Sequence, residues 1–179
     1  ICSQFADELT PKEIETINGY LLDKTIYSFE LKYKDQHTSV IYANAEKINT
    51  EPTGTISIIK KDYEKGAKSQ GDATLKDAVY KVYANEDIYN SAKTRKFYSK
   101  GDIVATRTTN AIGETEDVTG LPLGKYLVKE EKAPIGYMID KTEYEITLKY
   151  KNQNTNIITK SVTSIDKVKE MKVHNFKSG

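Results

Sequence analysis

The sequence predicts an all-β chain: one complete β-sandwich domain preceded by a partial copy of the same domain type. Three observations carry that prediction. An internal repeat runs at a spacing of 117 residues, Gly19 to Gly136. Short runs of alternating apolar and polar residues, bounded by Gly, Pro, Asn and Asp, recur through the second copy. The 13 tyrosines, with abundant Ile, Val and Thr, favour strands over helices.

The repeat sets the organisation. Gly19-Tyr20-Leu21-Leu22-Asp23-Lys24-Thr25 reads like Gly136-Tyr137-Met138-Ile139-Asp140-Lys141-Thr142. The match continues without a gap from Tyr27 to Tyr144, from Leu31-Lys32-Tyr33-Lys34 to Leu148-Lys149-Tyr150-Lys151, and from Ile41 to Ile158. A chain of 179 residues is too short for two copies at this spacing, so one is incomplete. Residues 1–50 read as the C-terminal part of a preceding repeat, 51–53 as a short linker, and 54–179 as the complete domain. Within it, alternation predicts strands over 55–61, 77–84, 103–108, 126–130, 143–150, 157–162 and 169–175. In the partial copy, strands are expected near 25–34 and 37–43. A helix is expected over Pro11–Ile17, with Thr10 as N-cap, Pro11 at the first helical position and Glu13 completing a capping box.

Composition excludes several functions. With 27 basic and 26 acidic residues the net charge is +1, which gives no electrostatic case for nucleic acid or an anionic membrane. Only Arg95 and Arg107 are arginines, which suits a solvated surface better than phosphate recognition. No apolar run is long enough to span a membrane, and no signal peptide opens the chain, which reads as a segment of a longer protein. A single cysteine, Cys2, excludes disulfides and Cys-based zinc sites, and its proximity to Gln4 reads as incidental. His37 and His174 stand far apart in the chain, and Gly66-Ala67-Lys68-Ser69 lacks the upstream glycine of a phosphate loop. No metal, cofactor or turnover chemistry is expected.

Three polar residues continue apolar rows. Strand period places Ile56, Ile58 and Lys60 on one face, with Lys61 on the other. Tyr126, Val128 and Glu130 share a face, as do Met171, Val173 and Asn175. Lysine and glutamate are seldom fully buried unless paired. Each of the three also stands at a strand end, where a sheet frays into water, so the pattern does not by itself bring them together.

A family resemblance does. Gly54-Thr55-Ile56-Ser57-Ile58-Ile59-Lys60-Lys61-Asp62 and Leu75-Lys76-Asp77-Ala78-Val79-Tyr80 resemble the opening of collagen-adhesin B-type repeats, the SpaA-type prealbumin-like pilin domains of Gram-positive surface proteins. Val118-Thr119-Gly120-Leu121-Pro122-Leu123-Gly124-Lys125-Tyr126, the following run to Glu130, Ala133-Pro134-Ile135-Gly136-Tyr137 and Val173-His174-Asn175 extend the likeness over 54–176, and more loosely over 13–50. The resemblance implies an immunoglobulin-like sandwich and an extracellular, wall-attached stalk or pilin module, with neighbouring repeats of the same polypeptide as partners. It also implies an intramolecular isopeptide bond between Lys60 and Asn175, assisted by Glu130. The chemistry needs an unprotonated amine beside a carboxamide carbon and a protonated acid to polarise it, and burial favours both neutral forms. In the partial copy Asn49 is read as the counterpart of the terminal asparagine and Glu13 as that of Glu130, unless Glu13 serves only as a helix cap. The alternative function is an adhesive module for a host protein or glycan, with Tyr89, Phe97 and Tyr98 in the loop 85–101 as the candidate surface. That loop reads equally as an ordinary hairpin.

Overall fold

Alternation is most regular after Pro52, and there the ladders form. The computed structural model describes residues 11–30, 32 and 34–170. Nine strands follow in order: β1 (Thr53–Asp62), β2 (Val79–Ala84), β3 (Ile88–Tyr89), β4 (Lys96–Tyr98), β5 (Ile103–Thr108), β6 (Val118–Leu121), β7 (Gly124–Lys132), β8 (Tyr144–Leu148) and β9 (Ile157–Asp166). One sheet has the order β6-β1-β9 and the other β5-β2-β7-β8, with β3-β4 a separate hairpin. The expected β-sandwich is thus present, its two inner faces meeting in one core.

Period 2 decides what that core contains. β1 contributes Ile56 and Ile58, β2 Tyr80 and Val82, β7 Tyr126 and Val128, β8 Ile146 and Leu148, and β9 Val162, all buried. Fully burying each aliphatic side chain contributes about 1.5–3 kcal/mol. The same rows run on into polar residues: Lys60 in β1, Glu130 in β7, Ser164 and Asp166 in β9 are buried too.

The described residues fall into two units. One comprises those up to Pro52 together with Lys151–Asn156, and the other comprises Thr53–Tyr150 and those from Ile157. In the first unit the expected helix is absent. Lys12 instead bridges Ile26 in antiparallel fashion, and the Glu13 carboxylate is taken by the Asp23 amide. Three β-branched residues in the segment, Ile14, Thr16 and Ile17, weigh against a helix. The strands expected near 25–34 and 37–43 are also missing among the described residues, which carry only isolated bridges there. In the second unit the matching segment, β9, lies along β1. Residues 40–49 have no such strand beside them among the described residues.

The strand expected over 157–162 is present as the start of β9, which continues to Asp166. β9 pairs in parallel with β1 along its whole length, from Thr53↔Ile157 to Asp62↔Asp166. Beyond it, Val168 makes only a bridge to Tyr137. The rest of the strand expected over 169–175, from residue 171 on, lies outside the described residues, as do Cys2 and His174.

One glycine fixes the end of β1. Gly113 accepts the Lys60 amide at 2.7 Å and has φ 83°. A Cβ there would stand 2.3 Å from the Lys60 carbonyl oxygen. Gly113→Ala is therefore expected to cost about 2 kcal/mol, from left-handed strain and a backbone clash. The urea midpoint should fall with an unchanged m-value, and an unmoved midpoint would contradict the assignment.

Candidate functional site

Three strands from both sheets converge on one amine. Lys60 follows Ile56 and Ile58 on the inward row of β1 and has no exposed surface. Lys61 faces outward and is exposed. The Lys60 Nζ donates to Glu130 Oε1 at 2.7 Å and to Asp166 Oδ2. All three side chains are sealed from solvent. Tyr80 lies beneath, its hydroxyl 3.5 Å from Nζ and donating to Glu130 Oε1 at 3.4 Å. The Tyr137 ring flanks the amine, its centroid 5.8 Å away. Its hydroxyl donates to Asp62 at 2.7 Å.

The register explains the convergence. β1 and β9 run parallel with Lys60 opposite Ser164, so Asp166 lies one inward position further along the neighbouring strand. Tyr80 lies opposite Glu130 in the β2–β7 ladder, so both enter the core at the same level from the other sheet.

A second layer holds the carboxylates. Glu130 Oε2 accepts the Asp140 amide at 2.6 Å. Asp140 itself accepts from the Thr142 amide at 2.8 Å and from the Tyr144 hydroxyl at 2.6 Å. The Ser164 hydroxyl bridges Asp140 and Asp166. Burial pushes the Glu130 carboxyl above the usual glutamate range, although its bonds to Lys60 and the Asp140 amide oppose the shift. Burial also drives the Tyr80 hydroxyl well above its ordinary value, so it stays a neutral donor. At Asp140 burial works against the charge, but the bonds from Thr142, Tyr144 and Ser164 prevail and hold it below the usual range.

Of the three residues expected to meet, Lys60 and Glu130 do, and Asn175 lies outside the described residues. The group at the lysine is Asp166, which sequence reasoning missed. A signal for it was available. The spacing of 117 residues that carries Glu13 to Glu130 carries Ile48 to Ile165 and Asn49 to Asp166, not to Asn175.

The first unit repeats part of this geometry. Asp23 donates its amide to Glu13 at 2.8 Å and caps the Thr25 amide at 2.8 Å. It also accepts from the Tyr27 hydroxyl at 3.2 Å, as Asp140 does with Thr142 and Tyr144. At the position matching Ser164 stands Lys47, 3.3 Å from Glu13 and 3.6 Å from Asp23. Asn49 is exposed, with no strand beside it among the described residues. The 85–101 loop forms the β3–β4 hairpin, with Arg95 over Phe97 and Tyr98 against the core. No metal-binding cluster of His, Cys, Asp and Glu occurs among the described residues. Nor, among them, is any helix long and apolar enough to cross a membrane.

Residues 54–163 match the SpaA family model, a prealbumin-like fold domain. No curated protein matches the sequence. Among solved structures, the Bacillus anthracis TIE protein aligns with a TM-score of 0.58 at 26% identity, over 91% of this chain and 25% of that one. GBS52, a minor pilin of Streptococcus agalactiae, aligns at 0.45 and 20% identity, over 70% of this chain and 49% of its own. The major pilin SpaD of Corynebacterium diphtheriae aligns at 0.46 and 23%, over 68% and 32%. The chain thus spans from a quarter to about half the length of these proteins.

The cluster predicts a pH signature. In Lys60→Met two buried carboxyls face each other without a cation, and breaking such a buried arrangement costs about 3–5 kcal/mol. Glu130 already has a raised folded-state value. Its share of stability is full below the ordinary glutamate range and is lost as pH rises through that raised value. Urea unfolding of Lys60→Met should give stability that falls as pH rises through and above the carboxylate range. A flat profile would contradict the placement of the two acids.

Proposed function

The chain belongs to the SpaA prealbumin-like fold domain family, and on that footing we propose that it is a structural stalk or pilin-type module of a Gram-positive cell-surface protein. Its crosslink is self-formed, an isopeptide bond from Lys60 to Asp166. The observation that carries this reading is a lysine with no exposed surface, held between Glu130 and Asp166. The family match over residues 54–163 supports the stalk-type setting.

The step balances without a co-reactant. The free amine of Lys60 attacks Cγ of the protonated Asp166 carboxyl. The protonated Glu130 gives its proton to the departing oxygen and takes one from the nitrogen, so one amide forms and one water leaves. A dry site favours the neutral amine and the neutral acids over their ions. The fold supplies proximity, which converts a slow bimolecular condensation into an intramolecular one. The reaction occurs once per molecule, so the module is not an enzyme in the turnover sense. Closing a loop across a separation of 106 residues stabilises by about 4–5 kcal/mol if it acts as a disulfide of that size does. Since β1 and β9 run parallel, tension applied at the two ends of the domain passes through the bond.

The first unit is then the C-terminal part of a preceding repeat, with Glu13 and Asn49 as its glutamate and acceptor. Its lysine strand would come before them. Neighbouring repeats are the partners of this module, and the setting is the outer face of the cell wall.

Intact mass tests the bond. The folded chain should weigh one water less than its sequence. Lys60→Ala, Asp166→Ala and Glu130→Ala should each restore the full mass, whereas Lys61→Ala should not. Asn175→Ala should leave the deficit in place. A deficit of one ammonia that vanishes in Asn175→Ala would move the acceptor to Asn175, and a full mass in folded wild-type protein would refute the bond.

A further inference from the structure

The Ser164 hydroxyl carries one hydrogen and faces two carboxyl groups, with the neutral hydroxyls of Tyr80 and Tyr144 beside it. Its Oγ stands 2.9 Å from Asp140 Oδ2 and 3.1 Å from Asp166 Oδ1. It can donate to only one of them. Asp140 is arranged as an acceptor, since the Thr142 amide and the Tyr144 hydroxyl both donate to it. Those bonds keep its carboxyl ionised against the cost of burial. The serine hydrogen is therefore drawn to Asp140, and an oxygen lone pair is left facing Asp166 Oδ1. A contact of 3.1 Å between two oxygens is then a hydrogen bond only if Oδ1 carries the proton.

We propose that the Asp140–Ser164 pair holds Asp166 as the carboxylic acid, with its hydroxyl on Oδ1 as the leaving group and Cγ open to Lys60. The proposal rests on the condensation put forward above, which requires the acid form of Asp166. It makes Ser164 a positioning residue acting through Asp166. The other groups facing Asp166 are Lys60 from β1, Glu130 from β7, the Tyr80 hydroxyl from β2 and Tyr137. None of these accepts a proton from Oδ1 in the arrangement described. The first unit provides an internal comparison. Its counterpart of Asp166 is Asn49, a carboxamide, which would lose ammonia and not water and has no acid form to hold. There the serine is replaced by Lys47, which lies 3.6 Å from Asp23, the counterpart of Asp140.

The test is the rate of crosslinking in the full chain, refolded from denaturant-solubilised inclusion bodies and followed by intact mass across a pH series. Ser164→Ala should slow the loss of water by about tenfold, the effect of losing one positioning hydrogen bond at the acceptor. Its rate should also begin to fall at lower pH than wild type. Asp140→Asn, which can donate to the serine and so turn its hydrogen toward Asp166, should slow the reaction in the same way. In an Asp166→Asn background, where ammonia leaves, adding Ser164→Ala should change neither rate nor pH profile. Equal slowing in both backgrounds would mean that Ser164 only packs the core and would overturn the proposal. So would no slowing in either. In both cases the wild-type mass deficit would still stand for the bond itself. A wild type that folds without losing water would remove the bond and this proposal together.

Discussion

A lysine side chain with no exposed surface dictates the rest of this domain. Moving its charge from solvent costs several kcal/mol unless it is met by partners of opposite charge with good geometry. Meeting it requires two carboxylates from different strands at one level of the core. That requirement fixes the parallel pairing of β1 with β9, the alignment of Tyr80 with Glu130, and the closure of the β1 end by Gly113. Were all three groups ionised, the site would carry a net negative charge. Burial resolves the excess by raising the Glu130 carboxyl toward its neutral form. The same displacement toward neutrality is what the proposed condensation requires.

The polar layer behind the cluster is organised by a single residue. Asp140 gives its amide to Glu130 and accepts from Thr142, Tyr144 and Ser164. It follows the Gly-Tyr turn in both copies, and its counterpart Asp23 makes the matching bonds to Glu13, Thr25 and Tyr27. The repeated sequence thus encodes a frame that orients the glutamate, while the acceptor and its neighbour differ: Asp166 with Ser164 in one unit, Asn49 with Lys47 in the other. Under the proposed chemistry the carboxyl would release water and the carboxamide ammonia, and only the carboxyl must be held as an acid beforehand.

Much of this was legible in the sequence because strand period converts directly into facing. The inward placement of Lys60 and Glu130 and the outward placement of Lys61 follow from alternation alone, as do the strands that became β1, β2, β5, β7 and β8. β9 was harder to read. Its inward row is Val162, Ser164 and Asp166, polar at two of three positions, so it looked like the end of a strand. The apolar alternation of Met171 and Val173 looked like a better one. The repeat spacing held the missing information, since it places Asn49 on Asp166. The helix expected over Pro11–Ile17 followed a capping signature, but Glu13 bonds the Asp23 amide instead of capping a helix. Asp140 stood in the repeated run Gly136–Thr142, but neither its role nor that of Ser164 was legible, because that role lies in which partner takes one hydrogen.

The central claim is that β1 and β9 are covalently joined at the buried cluster, and force spectroscopy addresses it most directly. With the domain held between linkers outside Thr53 and Asp166 and pulled, the account predicts that the 106-residue separation between Lys60 and Asp166 never contributes to the extension. Wild-type unfolding should then lack the gain of about 360 Å that freeing that stretch would give, and Lys60→Ala should show it. A wild-type domain that releases the full length at ordinary unfolding forces would contradict the account.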